Sequence, residues 1–253
     1  MKKIKLGNKE LPVLGLGLSG ILPRVIQKNN TPFKESIVNA LSIGYRFLDT
    51  AEIYGFGESE KLTGEALYQS EVPREKITLS TKVWFINLSR KRLQKSCEMS
   101  LRRLKTDYID IYSIHWPNPL ISLDETIEVL DRFISSGKIR YVGICNAKTE
   151  YINKVNQSLL GKVLTVQFPL NYIDRKEEDK IIFLKERNIF PVAYSPLKSG
   201  MIQKNKMLKK LGVEINRSPE EIALQWLKEK EISILIRSLS RKHLIDNFKL
   251  LNG

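Results

Sequence analysis

Short apolar runs alternate with amphipathic segments along the whole length of the chain. The apolar runs are rich in Ile, Val, Leu or Tyr, and most of them lack strict alternation with polar residues. Runs of this kind are typical of strands that are buried on both faces of a parallel sheet. The predicted strands are PVLGLGL, RFLD, ITLSTK, IDIYSI, IRYVGI, VLTVQF, IFPVAY and ISILIR.

The segments between these strands predict helices, and several carry start and stop signals. SLDETIEVLDRFISSGK begins with Ser122 as an N-cap, and FKESIVNALSIG ends at Gly44. SPEEIALQWLKEK begins with Ser218 and has Pro219 at its first helical position. Eight strand–helix repeats in 253 residues predict an α/β protein with the (β/α)8 TIM-barrel fold. A doubly wound parallel sheet is the alternative, but it accounts less well for eight strands.

The first residues predict an additional element ahead of the barrel. KIKLGNKELP has the pattern of a β-hairpin that turns at Gly7-Asn8. No linker or change in composition interrupts the rest of the chain. We therefore expect one domain over residues 1–253, a (β/α)8 barrel with an N-terminal β-hairpin.

The two cysteines favour a reducing compartment such as the cytoplasm, and a monomer is expected because no exposed apolar stripe stands out. Apolar residues make up 42% of the chain, but no window is long and apolar enough for a membrane span. The only two cysteines, Cys97 and Cys145, lie in unrelated contexts, which does not indicate a disulfide framework. We also expect no metal site, because the two cysteines and two histidines lack ligand spacing.

The net charge of +14 arises from 42 basic and 28 acidic residues and favours anionic ligands such as nucleotides. The lysines are scattered, many on polar helix faces, so we expect a solvated surface and no specific nucleic-acid partner. A basic barrel that binds nucleic acid stays open as an alternative; its affinity would fall steeply with salt.

Polar side chains collect at the C-terminal ends of the predicted strands, where TIM barrels carry their active sites. Asp49, Lys82 and His115 lie at three of these ends, and Tyr54 follows Asp49 by five residues. A lysine ammonium near a phenol lowers the phenol pKa, and an aspartate would hold the lysine in place. Such a set can protonate an alkoxide as it forms, which predicts carbonyl reduction with Tyr54 as the acid. Glu52, between Asp49 and Tyr54, is interpreted as a turn residue.

Five segments spread over the chain resemble the aldo-keto reductase family: GYRFLDTAEIYG, STKVW, IHWP, VQFPLNY and AYSPL. The resemblance implies an NADPH-dependent barrel enzyme that reduces a small-molecule aldehyde or ketone. It also implies that Asp49, Tyr54, Lys82 and His115 are the catalytic residues. An NADPH-binding regulatory subunit that senses redox state and has little turnover is the alternative function.

The resemblance further implies a set of cofactor-binding positions. Asn146 and Gln167 would hold the nicotinamide carboxamide, Tyr194 would stack on the ring, and Arg237 would meet the 2′-phosphate. Cys145 stands where the family usually has serine, so we expect a weaker hydrogen bond to the carboxamide there. His243 stands where many members have arginine, so NADH use is also expected. The full predicted set is Cys145, Asn146, Gln167, Tyr194, Ser195, Leu197, Ser199, Arg237, Ser238, Ser240, His243 and Asn247.

The predicted substrate pocket is open and permissive, with Trp84 and Trp116 as apolar walls. The loop after His115 is short, and the chain ends soon after the last motif, whereas family members often continue into a loop that walls the pocket. The run GLGLSG at residues 15–20 lacks the spacing of a dinucleotide-binding glycine loop and lies in the first barrel strand.

Overall fold

The computed structural model describes residues 1–22 and 29–253, and these residues form a closed barrel of parallel strands surrounded by helices. The strands are β1 (Lys3–Leu6), β2 (Lys9–Pro12), β3 (Leu14–Gly17), β4 (Phe47–Asp49), β5 (Thr78–Val83), β6 (Ile109–Ile114), β7 (Ile139–Cys145), β8 (Val163–Pro169), β9 (Phe190–Tyr194) and β10 (Ser233–Ile236). The helices are α1 (Thr31–Ile43), α2 (Glu58–Gln69), α3 (Arg90–Leu104), α4 (Leu123–Ser135), α5 (Thr149–Ser158), α6 (Lys180–Lys185), α7 (Lys206–Ile215), α8 (Pro219–Lys228) and α9 (Arg241–Asn252).

The barrel closes in the order β10-β3-β4-β5-β6-β7-β8-β9, with every neighbouring pair parallel. Each of the eight apolar runs coincides with one barrel strand to within about two residues at either end, so the predicted (β/α)8 barrel is confirmed and the doubly wound sheet is wrong. The strand interiors are almost wholly buried, as runs without polar alternation predict.

The N-terminal hairpin is also confirmed. Strands β1 and β2 pair antiparallel, with Ile4 opposite Leu11, and Gly7 occupies the turn at a φ of 58°, a left-handed conformation that glycine adopts without strain. The hairpin packs at the N-terminal end of the barrel, because Lys9 Nζ donates to the carbonyl of Gly161 just before β8.

Several helix ends follow the signals in the sequence. Ser218 and Glu221 form a reciprocal capping box at the start of α8, with Pro219 at the first position. Ser122 accepts a hydrogen bond from the Glu125 N–H at the start of α4, and Gly44 ends α1 with a φ of 120°.

The register of the sheet determines which side chains meet at its C-terminal end. Asp49 lies opposite Ser80, and Cys145 lies opposite Gln167. Close packing between the neighbouring strands β6 and β7 requires a glycine at position 143, because a Cβ there would lie 2.1 Å from Ser113 Oγ. Among the described residues, no helix combines the length and apolarity needed to cross a bilayer.

Candidate active site

A cavity of about 1190 Å³ opens at the C-terminal end of the barrel. Its inner wall includes all four predicted catalytic side chains, Asp49, Tyr54, Lys82 and His115. The cavity then extends past the ends of β7, β8, β9 and β10 to one face of α9. The fold therefore brings together side chains that lie up to 66 residues apart in the chain.

Asp49 and Lys82 form a buried ion pair at the floor of the cavity. Lys82 Nζ donates to Asp49 Oδ2 and, at 2.8 Å, to the carbonyl of Thr50. The other carboxylate oxygen, Oδ1, accepts from Ser80 Oγ at 2.8 Å and from Gln167 Nε2 at 2.7 Å. Burial alone would lower the Lys82 pKa, but the charges of Asp49 and Tyr54 outweigh it and raise the pKa above its usual value. The ammonium is therefore charged at any physiological pH.

Tyr54 begins a short 3-10 turn that follows β4. Its ring centroid lies 5.3 Å from Lys82 Nζ and 5.7 Å from the centroid of His115. Burial raises the pKa of Tyr54, and although Lys82 acts in the opposite direction, the net shift is upward. The expectation that Lys82 would lower this pKa is therefore corrected, since desolvation of the phenolate outweighs the attraction of the ammonium.

His115 is 4% exposed and stacks on Trp116, with ring centroids 3.9 Å apart. Burial, reinforced by the charge of Lys82, lowers the pKa of His115 to about 2. The imidazole is therefore neutral, with one nitrogen protonated and the other free to accept. Its Nδ1 has no hydrogen-bond partner among the described residues.

Four predicted cofactor positions, Cys145, Asn146, Gln167 and Tyr194, lie on the next part of the cavity wall. Asn146 adopts a left-handed φ of 57°, donates from Nδ2 to the carbonyl of His115, and accepts at Oδ1 from the Tyr194 hydroxyl at 2.6 Å. The side-chain amide of Gln167 contacts Asp49. Cys145 is buried, and burial raises its pKa to about 12, so its thiol is not a reactive nucleophile at neutral pH.

The loop after β9 has a constrained backbone. Ser195, Lys198 and Ser199 all have left-handed φ angles, of 54°, 44° and 51°. Three non-glycine residues in this conformation within five positions mark a loop that surrounding contacts hold in place. Ser195, Leu197 and Ser199 all line the cavity, as does Lys198, which the sequence prediction did not include.

The outer end of the cavity lies against β10 and α9. Arg237, Ser238, His243 and Asn247 line it, whereas Ser240 does not. Ser240 instead caps α9 by accepting a hydrogen bond from the His243 N–H. The cavity also contacts residues that the prediction missed, among them Ser19, Lys242 and Lys249. Lys242 and Lys249 lie on α9, and Ser19 follows β3. Their positions depend on packing and carry no signal in a sequence motif.

The two predicted pocket tryptophans differ in their contact with the cavity. Trp116 lines the cavity and is 39% exposed. Trp84 is not among the described lining residues and lies edge-on to Trp116, with centroids 5.5 Å apart. Glu52 is more than a turn residue, because its side chain accepts hydrogen bonds from the Trp84 N–H and from Asn87 Nδ2. The sequence prediction missed both this contact and the Ser80 contact to Asp49.

Comparison with known proteins agrees with this geometry. The model of the aldo/keto reductase family matches residues 13–252. Methylglyoxal reductase DkgB of Escherichia coli O157:H7 is 30% identical over 246 residues, which cover 96% of this chain and 88% of that protein. Glyoxal reductase of Bacillus subtilis (strain 168) is 28% identical over 247 residues, covering 96% of this chain and 85% of that protein.

Solved structures give the same result. A thermostable aldo-keto reductase in complex with the inhibitor epalrestat is 32% identical, with a TM-score of 0.90 over 100% of this chain and 95% of that one. An aldo/keto reductase from Klebsiella pneumoniae in complex with NADP and acetate is 25% identical, with a TM-score of 0.86 over 100% of this chain and 90% of that one. The motifs, the barrel and the family match agree, and the chain belongs to the aldo/keto reductase family.

Proposed function

We propose that this protein is an NADPH-dependent carbonyl reductase that converts an aldehyde or ketone to its alcohol. The observation that carries the proposal is the convergence of Tyr54, the Lys82–Asp49 pair and His115 at the inner end of one long cavity. A tyrosine acid beside a buried cation and a neutral imidazole suits protonation of an oxygen on which negative charge develops.

The residues of the cavity fit a nicotinamide dinucleotide phosphate. Two amide side chains, Asn146 and Gln167, lie near the catalytic end and match a carboxamide in hydrogen-bonding capacity. Arg237 and Lys242 lie at the outer end, where cations suit the 2′-phosphate of NADPH. NADPH, when bound, supplies the hydride that reduces the carbonyl carbon. NADH is an alternative cofactor, because His243 stands at a position where many family members have an arginine.

The chain's own residues would then complete the reaction. The Tyr54 hydroxyl gives its proton to the carbonyl oxygen, and Tyr54 recovers a proton from solvent. Lys82 stabilises the phenolate that forms transiently, and Asp49 keeps the ammonium in place through the buried ion pair. Neutral His115 donates a hydrogen bond to the same carbonyl oxygen and orients the substrate.

Two relatives point to a class of substrate. The compared E. coli and B. subtilis proteins are named methylglyoxal reductase and glyoxal reductase. We extend this to reactive aldehydes, including 2-oxoaldehydes, with Trp116 and the adjoining Trp84 as the apolar wall of the pocket. The relatives give no support to the alternative of a regulatory subunit without turnover.

The remaining expectations accompany this proposal. Residues 1–253 form one domain that works as a monomer in the cytoplasm, where two unpaired cysteines, Cys97 and Cys145, stay reduced. The partner is a small carbonyl compound. The surplus of lysines is a solvated surface that holds neither a specific nucleic acid nor a membrane.

The test is to follow NADPH consumption with aromatic, aliphatic and 2-oxo aldehydes, with NADH in parallel. Consumption that depends on the aldehyde and is faster with NADPH supports the proposal. NADPH binding without any consumption across the panel, measured by fluorescence titration, would instead favour a cofactor-binding regulator.

A further inference from the structure

The loop between β5 and α3, residues 84–89, is held from two sides. From one side, Glu52 Oε1 accepts hydrogen bonds from the Trp84 N–H and from Asn87 Nδ2, the latter at 3.0 Å. From the other side, Asn118 Nδ2 donates to the carbonyl of Phe85 at 3.1 Å. The loop is therefore joined to the turn after β4 and to the loop after β6.

These two neighbouring segments carry catalytic side chains. Glu52 lies two residues before Tyr54, and its own N–H donates to the carbonyl of Lys82 at 3.1 Å. Asn118 lies three residues after His115. A displacement of the loop would thus change the spacing between its side chains and the reacting groups.

The loop carries one half of an aromatic wall beside the catalytic residues. The Trp84 ring lies 5.9 Å from His115 and 5.5 Å from Trp116, edge-on in both cases. Trp116, which stacks on His115, forms the other half and lines the cavity. Trp84 thus supports Trp116 from behind, and the position of Trp84 depends on its backbone contact with Glu52.

A carboxylate is a strong acceptor for this purpose. Hydrogen bonds to a charged group are shorter and stronger than those between neutral groups. Both donors converge on Oε1 of Glu52, so this single side chain holds both Trp84, the first residue of the loop, and Asn87. Replacing it would leave the Trp84 N–H to water and loosen the loop.

We infer that Glu52 and Asn118 are positioning residues that hold the Trp84–Trp116 wall and thereby determine which size of carbonyl substrate binds well. The inference rests on the proposed reductase function. A bulky aromatic aldehyde needs the wall at a defined distance from Tyr54, whereas a small 2-oxoaldehyde touches little of it. We call the contacts of Glu52 and Asn118 with the loop the clamp. Loss of the clamp therefore affects KM for bulky substrates more than kcat.

The experiment compares Glu52→Ala with Glu52→Gln and with Glu58→Ala as the matched control. Glu58 is the first residue of α2, four positions after Tyr54, and among the described residues its side chain forms no hydrogen bond or ion pair with the loop. Each purified variant is assayed with NADPH, one bulky aromatic aldehyde and methylglyoxal. For Glu52→Ala we expect KM for the aromatic aldehyde to rise about tenfold, with kcat changed less than about threefold. KM for methylglyoxal and the affinity for NADPH should stay close to wild type.

Glu52→Gln keeps an oxygen acceptor and should restore most of the affinity for the aromatic aldehyde, and Glu58→Ala should resemble wild type. Equal effects of Glu52→Ala on both aldehydes, or a Glu52→Gln variant as impaired as Glu52→Ala, would overturn the inference. A wild-type protein without any carbonyl-dependent turnover would instead contradict the proposed function.

A second readout does not depend on activity. If the clamp holds the wall, Glu52→Ala and Asn118→Ala should both increase quenching of tryptophan fluorescence by acrylamide, while Glu58→Ala should not. Unchanged quenching in both clamp variants, with unfolding temperatures equal to wild type, would show that the wall does not depend on these contacts and would overturn the inference.

Discussion

Two buried carboxylates, Asp49 and Asp110, lie at opposite ends of the barrel, and each joins neighbouring strands. At the C-terminal end, Asp49 accepts from Lys82, Ser80 and Gln167. At the N-terminal end, Asp110 pairs with Arg74 at 2.8 Å and Arg140 at 2.9 Å, and accepts from the Leu79 N–H at 3.0 Å. In both cases a cation and other donors satisfy the carboxylate.

The two clusters differ in what their cations face. Arg74 and Arg140 each lie 4.1 Å from the ring centroid of Tyr108, and Arg74 also donates to two backbone carbonyls. Neither arginine nor Asp110 is among the described residues that line the large cavity. Lys82 instead faces that cavity and Tyr54. A buried ion pair thus links neighbouring segments at the N-terminal end and supports the acid Tyr54 at the C-terminal end. This agrees with the general division of TIM barrels into a stability face and a catalytic face.

Replacing Lys82 with methionine should produce the largest effect on the C-terminal cluster. We expect kcat for carbonyl reduction to fall about a thousandfold, because the Tyr54 phenolate would lose its neighbouring cation. The free energy of unfolding should also fall, by about 3 kcal/mol, because Asp49 would stay buried without its partner. Steady-state assays and urea denaturation measure both. Activity within tenfold of wild type would remove Lys82 from the mechanism.

The corresponding change at the N-terminal end is Asp110→Ala. It should lower the free energy of unfolding by about 3 kcal/mol, because two arginines would lose a largely buried partner. By contrast with Lys82→Met, kcat should stay within about twofold of wild type below the unfolding temperature. If kcat fell as far as in Lys82→Met, the two ends of the barrel would not be functionally separate.

The pH profile of kcat for carbonyl reduction should reflect the titration of Tyr54, which belongs to the site at the C-terminal end of the barrel. Burial raises the pKa of Tyr54, and the pKa of His115 lies at about 2. Tyr54 is then protonated and His115 neutral through the neutral range, so kcat should be flat from about pH 6 to pH 9. It should fall only at a pH above the usual phenol pKa of about 10, where Tyr54 loses its proton, by up to tenfold per unit. A step near pH 6.5 would show that His115 titrates as an exposed histidine.

Ser80→Ala should have the smallest effect of this series. It removes one of the two donors to Asp49 Oδ1 and leaves Gln167 Nε2 in place. We expect the free energy of unfolding to fall by about 1 kcal/mol and kcat to fall a few-fold, since Asp49 would orient Lys82 less firmly. Ser80→Cys, which keeps a side chain of similar size with a weaker donor, serves as the control for lost volume. A loss as large as that of Lys82→Met would mean that Ser80 contacts the reactants.

The barrel and the location of its site could be predicted from the sequence. Strands buried on both faces produce continuous apolar runs, and polar residues at the ends of such runs are costly unless they have partners or a function. Asp49, Lys82 and His115 stood out for this reason. The cluster around Asp110 did not, because Arg74 and Arg140 are separated from it by 36 and 30 positions and neither lies in a motif.

The pKa shifts of the site residues could not be predicted from the sequence and became clear only from the structure. The sequence indicates that Lys82 lies near Tyr54, but it does not show how deeply either group is buried. Burial decides the direction of the Tyr54 pKa shift and the neutral state of His115. The contact of Glu52 with Trp84 depends on the packing of the loops after β4 and β5. The contact of Gln167 with Asp49 joins β8 to β4, which are not neighbours in the sheet.

Replacement of Tyr54 with phenylalanine tests the central claim most directly. The variant lacks only the hydroxyl, and Tyr68→Phe, at a residue 88% exposed on the surface, serves as the control. Carbonyl reduction and NADPH binding are measured on the same samples. If Tyr54 is the proton donor, kcat falls at least about a hundredfold while the affinity for NADPH stays within about twofold of wild type. Near wild-type turnover by Tyr54→Phe would contradict the account and require another acid.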